Sequence, residues 1–137
     1  MLTATKTVRF DAAHILTNHG GLCRNLHGHT YRVDVSVAQG EAGSGDMVID
    51  FKDLKRTLEN AILSRFDHSF IYDSTSPGEC EIASVLEKHG MRTVALPFRS
   101  TAENLARHFA GALRPLLPGL SRVDVWETPD SRASYSE

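Results

Sequence analysis

The sequence predicts an α+β domain built on an antiparallel sheet, and three observations carry that expectation. Two long stretches near the start alternate apolar and polar residues, two later stretches repeat apolar residues every three to four positions, and an alternating segment returns near the end. From Thr5 to His14, Val8, Phe10, Ala12 and His14 share one side and Thr7, Arg9 and Asp11 the other, as in a strand with one buried face. A Gly-containing loop, TNHGGLCRNL, leads to a second strand from His27 to about Ala38, with His29, Tyr31, Val33, Val35 and Val37 on one face. GEAGSGD reads as a turn, and MVID after it as a short extension of the return strand.

Asp50 is placed to cap a helix over FKDLKRTLENAILSRF, where Phe51, Leu54, Leu58, Ile62 and Phe66 form the apolar stripe. The turn-like DSTSPGE precedes a shorter helix, Ile82 to His89, with Gly90 as its stop. RTVALP reads as a short strand. Ser100 and Glu103 have capping-box spacing ahead of a third helix, whose apolar face is Ala102, Leu105, Ala106, Phe109 and Leu113. Pro115 and Pro118 end that helix, and LSRVDVWE is a final strand with Val123, Val125 and Glu127 on one face. Both long helices are expected on one face of the sheet. The other face, read as rich in apolar β-branched residues, needs its own cover and so implies oligomerisation.

At 137 residues the chain is expected to form one domain, residues 1–137. A hydrophobic content of 41% and a charged content of 23% are those of a folded globular protein. The formal charge of −2 gives no bulk signal for nucleic acid or an acidic membrane. No run approaches the ~18 apolar residues of a membrane span. Two cysteines are too few for a disulfide-built secreted domain, which favours a reducing, cytoplasmic setting.

The stretch LCRNLHGH concentrates the chemistry. In a strand, His27 and His29 project to the same face, ~6.6–7 Å apart along the backbone. His14 ends the first strand on its apolar side, so pairing of the strands could bring three neutral imidazoles to one point. Three histidines with an open position is the pattern of a catalytic zinc site. An H-x-H pair also occurs in sheets facing solvent, and His19 in the loop is a rival third ligand. Cys23, beside Arg24, is either a plain loop thiol or a thiolate favoured by nearby cations and metal. In FDHSF, Asp67 can fix one tautomer of His68 and leave the other nitrogen as a base, or His68 can merely answer the helix dipole. Glu127 aims a carboxylate where a pocket should be and needs a partner with paired N–H donors, unless the strand emerges into solvent there. Glu103 is explained by capping, and Cys80 has no comparable company.

Together FDAAH, CRNLHGH, VIDFKDLK, FDH, STAENLA and WET resemble the 6-pyruvoyl-tetrahydropterin synthase / 6-carboxytetrahydropterin synthase family, from about Val8 to Thr128. The resemblance implies the tunnelling fold, an antiparallel four-stranded sheet with two helices on one face. Its subunits would close an oligomeric barrel, giving a homohexamer made as a dimer of trimers. It implies Zn2+ on His14, His27 and His29. It implies Cys23, Asp67 and His68 as the proton-transfer set, completed across a subunit interface, and Glu127 as anchor of the pterin ring edge with Thr101 a further contact. Three residues separate Cys23 from HGH, as in the carboxytetrahydropterin branch of queuosine biosynthesis, where the pyruvoyl branch typically has five. The implied reaction converts 7,8-dihydroneopterin triphosphate to 6-carboxy-5,6,7,8-tetrahydropterin, acetaldehyde and triphosphate. Lys6, Arg9 and Arg24 are candidates to meet the triphosphate. The alternatives are pyruvoyl synthase activity on the same substrate, a non-catalytic metal-binding module, and a three-histidine zinc hydrolase. Two departures from the family pattern stand out: Ser100 replaces a usual proline, and the segment from about Ser76 to Leu96 is long.

Overall fold

The computed structural model describes residues 1–40 and 45–137. Its strands are β1 (Thr3–His14), β2 (His27–Ala38), β3 (Ser69–Asp73), β4 (Thr93–Leu96), β5 (Leu120–Thr128) and β6 (Ser131–Ser136). Helix α1 (Phe51–Leu58) continues through a π-helical stretch (Glu59–Leu63) into α2 (Ser64–Phe66), and α3 (Pro77–Lys88) and α4 (Ala102–Leu113) follow. The alternation of β1 and β2 forms the long antiparallel pair it predicts, in register from Thr3↔Ala38 to His14↔His27.

The sheet has six strands in the order β4-β3-β1-β2-β5-β6, which corrects the expected four-stranded antiparallel sheet. It is mixed, because β3 runs parallel to both β1 and β4. The two additional strands are β3, a short run between two polar motifs, and β6, whose SRASYS is almost wholly polar. β6 holds its place through the antiparallel ladder to β5. MVID is not a strand: Val48 and Ile49 lie in a non-regular segment and pack, half-buried, against the core. Most of the turn expected at GEAGSGD lies outside the described residues.

Asp50 caps α1 as expected, its Oδ1 accepting the Lys52 N–H at 2.8 Å. The α4 cap is Thr101 rather than Ser100, with Thr101 Oγ1 accepting the Asn104 N–H at 3.1 Å. Ser100 is fully buried and turned to His14 instead. Helix α3 starts five residues before the predicted Ile82, at Pro77, where Ser76 caps it and proline suits the first turn.

One core fills the space between the sheet and the helices α1, α2 and α4. Val8, Phe10, Tyr31, Val33, Val35, Val123 and Val125 meet Leu54, Leu58, Ile62, Phe66, Leu105, Phe109 and Leu113 there. Phe66 and Phe109 make an edge-to-face pair at 5.0 Å, and truncating Phe109 to Ala would cost about 3–5 kcal/mol. Helix α3 lies on the other side of β3, where Ala83 packs with Ile15 and Phe70. Over β1, β2 and β5 the face away from the core is polar, carrying Arg9, Arg32, Asp34, Arg122, Asp124 and Trp126. This corrects the apolar face expected there. Asp34 and Asp124 are nearly buried on it because Arg32 and Arg122 lie over them as ion pairs.

Candidate metal centre and active site

The end of the β1–β2 pair builds the centre. His14 stands directly opposite His27, and His29 opposite Ala12, so all three rings project to the core side. Gly28 lets the strands come close, since a Cβ there would sit 3.0 Å from the carbonyl oxygen of Ala12. The ring centroids are 4.6 Å apart for His14 and His27, and 5.1 Å for each of the other two pairs.

The hydrogen bonds say which nitrogens are free. His14 Nδ1 donates to the carbonyl oxygen of Ser100 at 2.9 Å, and Ser100 Oγ lies 3.1 Å away. His27 Nδ1 donates to the carbonyl oxygen of Asn25 at 2.7 Å. With the proton on Nδ1, Nε2 carries the lone pair. The Nε2 atoms of His14, His27 and His29 are all buried without a hydrogen-bond partner among the described residues. One ligand atom from each of these residues lies within 4.8 Å of the others, so the group can hold a metal ion. Burial lowers the His14 pKa from 6.5 to about 4; the Ser100 carbonyl opposes that shift, and His27 and His29 add to it. His29 is lowered too, by burial and then by His27. Three buried Nε2 acceptors left without a partner are the donor set a cation requires. His19 is exposed in the loop, accepts the Gly21 N–H through Nδ1, and is not in this group.

Beside the histidines a cavity of about 280 Å³ is lined by Cys23, His19, Thr101, Glu103, Glu127 and Arg132, among others. Cys23 sits in a 3-10 turn (Leu22–Arg24), held by the Leu16 N–H on its carbonyl oxygen at 2.9 Å. Glu127 lies where the β5–β6 ladder slips between Trp126 and Thr128, an irregularity of the kind that re-aims a side chain. Its Oε2 is 3.9 Å from His29 Nε2. Burial, then the Glu103 carboxylate, push the Glu127 carboxyl above its ordinary range, with His27 opposing.

Two further residues belong to this neighbourhood, Glu103, read from the sequence as a capping residue with a second role left open, and Tyr31, to which the sequence assigned no site role. Glu103 is free of the capping role assigned to it and faces the cavity with Glu127. Tyr31 is fully buried, 5.3 Å from the His29 ring, with its hydroxyl unpartnered among the described residues. Burial and Glu127 raise the Tyr31 pKa. Its place two residues after His29 on one strand face was the available signal.

Asp67 and His68 lie elsewhere. Asp67 ends α2 in an extended conformation and His68 follows at φ +60°, which turns the ring back so that Nδ1 meets Asp67 Oδ1 at 2.9 Å. Burial would raise the Asp67 carboxyl, but the Asp11 N–H at 3.1 Å and the His68 ring outweigh it, and the net shift is downward. His68 is largely exposed and borders a surface depression with Asp11, Gly28 and His29, not the Cys23 cavity. One chain therefore joins Asp67 to His68, but not this pair to Cys23.

A sheet packed on helices, ending in three converging imidazoles that can hold a metal ion beside a carboxylate-lined cavity, is an architecture suited to an enzyme active site. Residues 3–137 match the 6-pyruvoyl tetrahydropterin synthase family, and the chain belongs to that family of enzymes. Its relatives include a protein of Haemophilus influenzae named 6-carboxy-5,6,7,8-tetrahydropterin synthase, 43% identical over the full length of both chains. A protein of the same name from Aquifex aeolicus is 36% identical over 97% of this chain and 96% of its own. The fold is similar to the crystal structure of an uncharacterized protein from Wolinella succinogenes, with a TM-score of 0.81 at 24% identity over 99% of this chain and 98% of that one. It is similar also to Caenorhabditis elegans 6-pyruvoyl tetrahydropterin synthase, with a TM-score of 0.71 at 23% identity over 99% and 95%. Among the described residues no helix is long and apolar enough to cross a membrane.

Proposed function

We propose that this chain is a zinc-dependent carbon–carbon lyase. It converts 7,8-dihydroneopterin triphosphate to 6-carboxy-5,6,7,8-tetrahydropterin, acetaldehyde and triphosphate, in a cytoplasmic route to queuosine. The observation that carries this reading is the set of three orphaned Nε2 atoms beside a cavity that holds both Cys23 and Glu127. The names of the relatives over the full chain length support the carboxy product.

His14, His27 and His29 would hold the ion. Bound there, zinc supplies Lewis-acid polarisation of the substrate's side-chain oxygens, which acidifies the adjacent O–H and C–H groups. Glu127 accepts the paired N–H donors of the pterin ring edge, a charge-assisted fork that fixes the ring. Thr101, at the cavity wall, is a further contact. Cys23 as thiolate takes a proton on the cavity side. Asp67 holds His68 in the tautomer whose Nε2 exchanges a proton. Because these groups occupy different surfaces of one chain, His68 meets the Cys23 cavity of a neighbouring subunit, within a homohexamer. Loss of triphosphate and cleavage of the side-chain carbon–carbon bond, with water supplying the second carboxylate oxygen, complete the balance.

The test is incubation of the zinc-loaded protein with 7,8-dihydroneopterin triphosphate and mass analysis of the products. Acetaldehyde with the 6-carboxy pterin is expected. A 6-pyruvoyl product would move the chain to the sister activity, and no turnover at all would leave only a metal-binding protein. Light scattering checks the assembly, and a monomer at micromolar concentration would remove the shared site.

A further inference from the structure

Glu79 of α3 is only 2% exposed, and its carboxylate is not where its sequence context would put it. Ser76 and Glu79 have the spacing of a capping box, in which the acid reaches back to the N–H of the capping serine. Here that N–H donates to the Asp73 carbonyl oxygen at 3.1 Å, while Ser76 Oγ accepts the Glu79 N–H at 3.4 Å. The carboxylate is left free for other donors. Its Oε1 accepts the Asp73 N–H at 3.1 Å and its Oε2 accepts the Thr17 hydroxyl. A buried carboxylate needs such donors, and one of the two comes from the loop that carries Cys23.

That loop is gripped on both sides of a single residue. Ile15 packs with Phe70 and Ala83, and Thr17 meets Glu79, which lies one helical turn before Ala83 on the same face of α3. Leu16, between them, borders the Cys23 cavity. Its N–H donates to the Cys23 carbonyl oxygen at 2.9 Å, and its own carbonyl oxygen accepts the His19 N–H at 3.0 Å. Directly after Thr17 the chain turns through Asn18 at φ +67°, a left-handed conformation that asparagine enters more readily than most residues. The direction in which the loop leaves the sheet is thus set by groups on α3, inside the long segment from Ser76 to Leu96. Among the described residues, none of α3 borders the Cys23 cavity itself.

We propose that Glu79 is a positioning residue for Cys23, acting through Thr17. The contact holds the corner of the loop, so that Leu16 presents its N–H to Cys23 at a fixed place on the cavity wall and the thiol stands where it can take a proton. A small misplacement of a reacting group costs rate steeply, whereas Glu127, carried by β5, keeps its own hold on substrate. The proposal rests on the role given to Cys23 above. It makes α3 part of the catalytic apparatus at second hand, through one hydroxyl–carboxylate contact across 62 residues of sequence.

The experiment compares the zinc-loaded protein with Thr17→Val, Thr17→Ser and Glu79→Gln. It reads kcat and KM for 7,8-dihydroneopterin triphosphate, zinc content, melting temperature, and the rate of iodoacetamide modification at Cys23, located by peptide mass mapping so that Cys80 is not counted. Valine keeps the shape of threonine at a half-buried position and removes only the hydroxyl. Thr17→Val should keep its zinc, lose about tenfold in kcat with little change in KM, and be alkylated faster at Cys23 because the loosened loop opens more often. Thr17→Ser restores the hydroxyl, and the Glu79→Gln amide can donate to the Thr17 oxygen, so both should stay close to the unaltered protein in kcat and in alkylation. Unchanged kcat and alkylation in Thr17→Val would overturn the proposal. So would a lower melting temperature alone, or loss of zinc, since either would place the contact's effect in the scaffold or the metal centre. Faster alkylation in Thr17→Val, reversed in Thr17→Ser, in a protein without turnover would leave the positioning contact standing and remove the lyase reading. Turnover that needs Cys23 but is indifferent to Thr17→Val would do the reverse.

Discussion

The His14 ring is pinned from 86 residues away: its Nδ1 donates to the Ser100 carbonyl oxygen at 2.9 Å, which leaves Nε2 facing His27 across the β1–β2 pair. A ligand so oriented loses little freedom when it binds a cation. Replacing His27 or His29 by Ala should strip stoichiometric zinc, measured by elemental analysis of the purified protein. Full zinc retained in both variants would refute the ligand set. Ser100→Ala keeps the backbone carbonyl and removes only Oγ, so it should retain zinc and weaken affinity by less than about tenfold, at the low end of outer-shell effects.

The same burial sets a pH dependence. His14 is depressed to about 4 in the folded protein, against 6.5 in an open chain. Between these values the unfolded chain binds a proton that the folded protein does not, so stability rises with pH. The contribution is fully present above about pH 6.5, is lost as pH falls toward 4, and levels off below that. Its size is on the order of 3 kcal/mol for a shift of this extent, and the downward shift of His29 acts in the same direction. Urea melts of metal-free protein between pH 8 and 4 should show this decline, and His14→Leu should flatten most of it. An unchanged slope in His14→Leu would place the titrating group elsewhere.

Much of this was legible because burial on one face writes a period of two into β1 and β2. The convergence of His14, His27 and His29 followed from that alternation, although the register, with His14 opposite His27, depends on a loop that spacing does not resolve. β6 was illegible for the opposite reason: SRASYS buries little and is held by backbone pairing, with Tyr135 alone reaching the core. MVID has the composition of a strand, but Val48 and Ile49 satisfy it by packing without a ladder. Ser100 and Thr101 both suit a helix cap, and nothing local says that Ser100 is taken by His14. The Asp67–His68 contact was open between two readings until the left-handed turn at His68 decided that the two side chains meet. The position of that pair, on a different surface from Cys23, has no signal in local spacing, since it depends on how the sheet curls.

Cys23 shares its cavity with Glu127 but not the histidine cluster's donor set. Cys23→Ala should therefore keep zinc at one equivalent while kcat falls by about a hundredfold or more, the range expected when a positioned proton acceptor is lost. Near-wild-type turnover would remove the thiol from the chemistry. Loss of zinc instead would make it a ligand and redraw the centre.

Glu127 gives the sharpest test of substrate orientation. Its carboxyl is raised first by burial and then by the Glu103 carboxylate, so its negative charge is held at a cost that a cationic or N–H-rich partner would relieve. The charged form is present above its raised pKa and is lost as pH falls, so affinity for the pterin should weaken on acidification. Glu127→Gln keeps the shape but replaces one acceptor with a donor, and the fork onto paired N–H groups fails. We expect kcat/KM to fall by about a hundredfold, equivalent to ~3 kcal/mol for a charge-assisted pair, with KM carrying most of the loss. Glu103→Gln should lower the Glu127 pKa and shift the acid limb of kcat/KM to lower pH, because one of the charges opposing ionisation is gone. A Glu127→Gln enzyme with unaltered KM would mean that the ring edge binds elsewhere in the cavity.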